Sequence, residues 1–491
     1  MACAALLASC TSSSDEAIDD PAPETSRPES STTTAPVPPR APVAGPSVGD
    51  RFVPGAGSAG IDVERYEVAL DVTDGGAEVR GEARITLRAD QDLGGFHLDL
   101  VGLDVEDVAV DGEPVEFVRT EDELRIELPA TAEAGSSLVV DVVYGGRPEP
   151  LVGVVSSTPV GWSATPWGGL AVSQPRGTAT WMPVADHPSD PATWSIELTT
   201  DDPLVGVASG RLADRRPAGE GRTVHRWVVD EPMAPHVALA MVADVEIETP
   251  RTIAGIPVTV AAAPPAGPVV EEALDRLPAI VEAFERWFGP YPLDGFGLAV
   301  APGPLDVSAP GTQGMALFDQ RALDDPAAVV LAHVVAHQWA GNHVTPERWE
   351  DVWLSEGLAT YGEWLWFEAS VGESADVLAR LYCDDAGPEG LVPPADPPLD
   401  ALFGPATSGR GALAFHALRG SVGDAGFEEV LTTWFERFGG GPASTDDLLA
   451  LVEELHGTDA AELLAAWALD PSPPIAPLRS VTGSVVVCDG S

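Results

Sequence analysis

The sequence predicts a multidomain α+β protein, with an N-terminal β-sandwich-like domain followed by a mainly α domain. Three observations lead there. The chain has 491 residues, 44% of them apolar, which is too long for one ordinary core and rich enough to build two. As far as about residue 248, apolar residues alternate with polar ones in short runs separated by Asp-Gly and Gly-Gly turns. After Pro264 the apolar period becomes helical.

The segments follow in order. Residues 1–10 form a signal-like segment, in which the apolar run Ala2 to Ala8 leads into Leu7-Ala8-Ser9-Cys10. That word resembles a bacterial lipobox, whose cysteine carries lipid after cleavage. It predicts export and anchoring by a lipid on Cys10 to the outer face of the bacterial cytoplasmic membrane; the competing reading is a frayed terminus with an incidental cysteine. Residues 11–50 are rich in Ser, Thr, Pro, Asp and Glu and read as a disordered tether, because they offer little apolar surface to bury. Residues 51–248 carry the strand pattern, as in Tyr66 to Val72, Glu82 to Leu87 and Leu138 to Tyr144.

Residues 249–478 make up the second domain. Val269–Trp287 has helical spacing and stops at Phe288-Gly289-Pro290-Tyr291-Pro292. Leu293 to Leu317 reads as strand and loop. Pro326–Ala340, Trp353–Val371, Gly411–Val422, Gly426–Phe438 and Thr445–His456 read as helices, and 479–491 as a tail. Trp339, Trp349, Trp353, Trp364 and Trp366 fall at helix-like spacings that suit core positions.

There are 77 acidic and 26 basic residues, all of the latter arginine, for a formal net charge of −51. Such a surface repels phosphate backbones, so nucleic-acid binding is not expected. Of the four cysteines, Cys383 and Cys488 could pair as a disulfide in an exported chain, or remain two free thiols.

The chemistry concentrates at His333-Val334-Val335-Ala336-His337, followed nineteen residues later by Glu356. Histidines four apart share one helix face. Two imidazoles and a carboxylate suit Zn²⁺ with a fourth position left for water. The surrounding words are His337-Gln338-Trp339-Ala340-Gly341-Asn342-His343 and Trp353-Leu354-Ser355-Glu356-Gly357-Leu358-Ala359-Thr360-Tyr361. Together with Trp181-Met182-Pro183-Val184-Ala185-Asp186-His187-Pro188, Phe288–Pro292 and Arg410-Gly411-Ala412-Leu413, they resemble the M1 family of zinc aminopeptidases over roughly residues 50 to 475. The resemblance implies an N-terminal β domain on a thermolysin-like catalytic domain, one zinc ion on His333, His337 and Glu356, and peptide substrates.

It also implies catalytic groups that this chain lacks. Family members carry a general-base glutamate after the first histidine, where Val334 stands. The amine-binding glutamate of their Gly-x-Met-Glu-Asn-type loop falls at Gly311, within Ala309-Pro310-Gly311-Thr312-Gln313, and the oxyanion-binding tyrosine at Ser408. In the N-domain word Gln174-Pro175-Arg176-Gly177, Gln174 matches and Arg176 replaces an acidic residue. The expected function is therefore a cell-surface, zinc-binding pseudopeptidase with a binding or regulatory role. Its cleft, with zinc and Arg176, would favour a peptide or carboxylate-bearing ligand. The alternatives are a slow or altered aminopeptidase, using Glu350, Asp351 or Glu363 as base, and a metal-free structural domain. Asp351 could instead orient a zinc histidine or cap a helix.

Overall fold

The computed structural model describes residues 40–120, 122–153, 158–305, 310–385 and 392–471, with backbone pairs at 478–479 and 485–486. Cys3, Cys10 and Cys488 lie outside the described residues.

The first domain is built on an eight-stranded sheet. Its order is Arg211–Gly219, Arg222–Met233, Ala192–Asp201, Ile61–Thr73, Glu78–Ala89, Ser137–Gly146, Asp104–Val110 and Glu113–Pro114. Neighbours run antiparallel except Ile61–Thr73 against Ala192–Asp201, which pair in parallel from Arg65↔Thr193 to Asp71↔Thr199. Side chains point to opposite faces along a strand, so alternation buries one face. Tyr66, Val68, Leu70 and Val72 therefore go inward on the first strand, and Val79, Ala83, Ile85 and Leu87 on the second. A three-stranded sheet containing Leu93–Asp99 and a four-stranded sheet containing Leu239–Ala243 complete this β core.

The second domain opens with a mixed sheet in which Ile256–Ala262, Phe296–Ala301 and Ala316–Asp319 run in parallel. Glu246 and Ile247 pair with Ala262 and Ala261, so this sheet begins at 246, inside the span assigned from sequence to the first domain. Among the described residues its α-helices are α1 Gly267–Phe288, α2 Gln320–Leu323, α3 Val329–His337, α4 Trp353–Val371, α5 Asp376–Asp385, α6 Gly411–Phe438, α7 Thr445–His456 and α8 Thr458–Leu469. On α1, Val270, Leu274, Leu277, Val281, Phe284 and Phe288 form the inward stripe expected of helical spacing. The five tryptophans singled out from sequence are all buried. Residues 411–422 and 426–438 read as two helices; they form one element interrupted at Gly423, whose backbone is not helical. Among the described residues no helix is long and apolar enough to cross a membrane.

α3 is shorter than its apolar pattern. The sequence predicts a start at Pro326, but Ala328 adopts a left-handed conformation (φ 54°) and the helix begins at Val329. Asp325 caps it, accepting the backbone N–H groups of Ala327 at 3.0 Å and Val329 at 2.8 Å.

Residues 40–50 correct the tether assignment. They are packed, not loose. Ala44 N–H donates to Gly95 O at 2.9 Å, and Gly94 N–H to Pro42 O at 2.8 Å. Further along, Asp50 is buried and accepts the backbone N–H groups of Phe52 (2.7 Å), Val53 (3.3 Å) and Trp349 (2.9 Å). Phe52, Val53 and Ala56 then pack with Trp349, Val352 and Leu402 in a small separate core. This strap joins the β domain to the turn that leads into α4.

Candidate metal centre

His333 and His337 stand one turn apart on α3, and Glu356 lies in the first turn of α4. Their ligand atoms converge. The two Nε2 atoms are 3.0 Å apart, and Glu356 Oε2 lies 3.9 Å from that of His333 and 3.8 Å from that of His337. Zinc bonds of about 2.0–2.2 Å at tetrahedral angles separate donors by about 3.4 Å, so a single ion fits.

The outer nitrogens define the tautomers. His333 Nδ1 lies 2.7 Å from Glu363 Oε1 and donates to it. His337 Nδ1 lies 3.0 Å from Ala340 O and donates there, with Ser355 Oγ at 3.3 Å. Both Nε2 lone pairs then face one another beside a carboxylate. A cation relieves that repulsion, and this donor chemistry suits zinc. Burial holds His337 down at about 4, against the opposing pull of Glu356. Burial also lowers His333, but the hydrogen bond and charge of Glu363 carry it above its ordinary value.

The remaining sequence-predicted residues are placed as follows. Val334 is fully buried in the helical core. Gly311 lies against the His337 ring: a Cβ there would meet His337 Cδ2 at 2.7 Å and Cγ at 2.9 Å. Neighbouring groups fix the loop. Gly314 N–H donates to Gln338 Oε1 at 3.0 Å, Gln338 Nε2 donates to Thr312 O at 3.3 Å, and Gln313 N–H donates to Val237 O at 3.1 Å. Ser408 is half-buried in a short π-helical turn, its hydroxyl 3.4 Å from Gly404 O. Gln174 is half-buried in the β domain.

Arg176 does not supply charge to a metal-centre ligand. Its guanidinium binds the buried Asp99 Oδ1 at 3.0 Å and lies 3.9 Å from the exposed Asp122 and 4.0 Å from the half-buried Glu123. Burial pushes Asp99 up to about 6 and Glu123 up to about 8, despite Arg176. Cys383 is disulfide-bonded.

The three proposed replacement bases are otherwise engaged. Glu363 holds His333. Glu350 lies 3.7 Å from Arg51. Asp351 is buried at the start of α7, accepting Thr445 N–H at 2.8 Å and Thr445 Oγ1–H at 2.7 Å; its other oxygen accepts Arg348 N–H at 3.2 Å. It acts as a cap and touches neither histidine.

Two residues near the centre escaped sequence reasoning. Tyr382 of α5 lies over Gly409, where a Cβ would sit 1.5 Å from its Cζ. Its hydroxyl donates to Pro405 O at 2.6 Å, and burial, with the charge of Glu363, pushes it up to about 12. His236 is buried, edge-on to Trp349 with ring centroids 5.0 Å apart, and burial together with His187 and His337 holds it down at about 3. Neither belongs to a recognisable word.

Comparison with known proteins agrees with this architecture. The Peptidase family M1 domain matches residues 313–467, and the Peptidase M1 N-terminal domain matches residues 63–235. Leucyl aminopeptidase of Saccharolobus solfataricus is 25% identical over 457 residues, covering 87% of this chain and 55% of that protein. Endoplasmic reticulum aminopeptidase 1 of Homo sapiens is 30% identical over 210 residues, covering 40% and 22%. The chain thus spans about half the length of the first of these relatives, or less. The M1 zinc metallopeptidase of Deinococcus radiodurans, solved as a mutant bound to a Tyr-Ser-Ala substrate, superposes with a TM-score of 0.82 at 31% identity. That match covers 89% of this chain and 100% of the other. With both domains matched in order, the chain belongs to the M1 family of zinc peptidases.

Proposed function

We propose that this protein is a zinc-binding M1 homologue that holds a peptide or other carboxylate-bearing ligand without turning it over. One observation carries the reading: the residue framed by the two histidines is Val334, whose isopropyl group cannot accept a proton. His333, His337 and Glu356 would hold the ion. A bound zinc supplies Lewis acidity and a water position in peptidases of this type. At the position after His333 this chain has no group to take that water's proton. Losing a positioned acid/base costs ~10² to 10⁴ in rate, and losing an oxyanion donor about 10² to 10³. Groups that act as a unit are not additive, so the two losses are not multiplied; either alone is severe. Gly311 adds to the case, since it carries no side chain and a Cβ there would meet the His337 ring at 2.7 Å.

A second reading, a slow aminopeptidase, draws support from Tyr382. Its phenol lies beside the turn holding Ser408, and would offer an oxyanion donor from α5 on giving up its bond to Pro405 O. A third reading, a metal-free structural domain, would have the two Nε2 atoms share a proton across their 3.0 Å separation.

For location, the reading is export and lipid anchoring through Cys10. The apolar run before it, the Ser/Thr/Pro-rich segment after it and the disulfide at Cys383 all suit an oxidising compartment.

Zinc analysis of the purified protein, run with an aminoacyl-anilide assay, tests the proposal. One equivalent of zinc without turnover is expected. Less than about half an equivalent would remove the metal from the proposal. Turnover abolished by chelator and by His337→Ala would replace it with the active reading.

A further inference from the structure

A second constellation lies away from the metal centre, in a cavity of about 520 Å³ where the strap, the β domain and the loop before α7 meet. Ser58, His187, Ser189 and Asp190 line it, with Asp62, Asp90 and Arg88 also on its wall. Ser189 Oγ lies 2.7 Å from His187 Nδ1, and Ser189 N–H points to the same nitrogen at 3.3 Å. Two donors on Nδ1 make it the acceptor and leave the proton on Nε2, which faces Asp50 Oδ2 at 3.4 Å. Burial alone would raise the Asp50 carboxyl; hydrogen bonds from His187, Trp349 and Phe52 hold it below its ordinary value. The half-buried serine, the buried imidazole and the buried carboxylate thus form a chain with the polarity of a nucleophile, its base and the group that orients the base. Ser58, 4% exposed and with its hydroxyl unpartnered among the described residues, borders the same cavity.

We propose that Ser189, His187 and Asp50 form an acyl-transfer site that hydrolyses small uncharged or cationic carboxylic esters. Asp62 and Asp90 on the wall, set against the single arginine Arg88, disfavour anionic ones. Ser189 Oγ bonds to the ester carbonyl carbon as its proton passes to His187 Nδ1. The bond from acyl carbon to alkoxy oxygen then breaks, and the alkoxide leaves with that proton as the alcohol. Water, deprotonated by the same nitrogen, releases the carboxylic acid and restores the serine. The step needs no metal and does not depend on the reading of the zinc centre.

The test treats the full chain with a fluorophosphonate probe, maps the adduct by mass spectrometry, and follows p-nitrophenyl acetate hydrolysis with and without chelator. The expected result is an adduct on Ser189, insensitive to chelator. Turnover should fall roughly tenfold or more in Ser189→Ala, with unchanged circular dichroism. Ser189 makes no other side-chain bond, so its alanine variant should fold. No adduct on Ser189, equal turnover in a folded Ser189→Ala, or turnover abolished by chelator would each overturn the proposal; the last would assign ester cleavage to the metal centre.

Discussion

Glu363 Oε1 sits 2.7 Å from His333 Nδ1, from a position two turns along the helix that carries Glu356. One helix therefore supplies both a candidate ligand and the carboxylate that orients another. Glu363→Ala should weaken zinc binding by about 10- to 100-fold, the usual cost of removing such a partner. Competition against a chromophoric chelator measures this, and unchanged affinity would show that the ring needs no such support.

Val334→Glu alone should leave aminoacyl-anilide turnover within about tenfold of the parent, because Ser408 and Gly311 remain unchanged. A gain of roughly 10² or more would show that the other departures matter little.

Gly311→Glu should not rebuild an amine anchor. Its Cβ would fall 2.7 Å from the His337 ring, so either the loop or the imidazole must move. A loss of ~1–3 kcal/mol in stability is expected, with lower zinc occupancy. Denaturant melts and metal analysis check both, and a variant with full zinc and unchanged midpoint would count against the close packing.

The Asp99–Arg176–Glu123 group predicts a pH dependence. Glu123 stands at about 8 in the folded protein against 4.5 for a free glutamate, so the folded state binds more protons between those values. Stability from this group is present below about pH 4.5 and is lost as pH rises towards 8. Melting temperature should fall between pH 5.5 and 8.5, and Glu123→Gln should flatten the fall. Equal slopes in the two proteins would refute the assignment.

The fold class and the convergence of His333, His337 and Glu356 were legible because their signals are local: alternation along strands, a four-residue histidine spacing, and words running on through Glu356. Glu363 was visible only as an acid near the ligands. Its role depends on which face of α4 meets α3, and the all-round apolar pattern of α4 does not specify that. Arg176 was misjudged for a related reason. A charge beside a family word suggests a ligand, whereas its partner Asp99 lies 77 residues away on another strand. Ala328 shortened α3 through a left-handed backbone that alanine rarely adopts and composition does not reveal.

Residues 40–50 have the make-up of a linker, yet Asp50 is what Trp349 N–H and His187 Nε2 bond to across the boundary between the domains. A protein shortened to begin at residue 51 would strand a buried amide at the entrance to α4, at a cost of about 1–3 kcal/mol. It would also forfeit the edge pairing of Pro42 and Ala44 with Gly94 and Gly95. A variant lacking residues 40–50 should therefore melt at a lower temperature than one that keeps them.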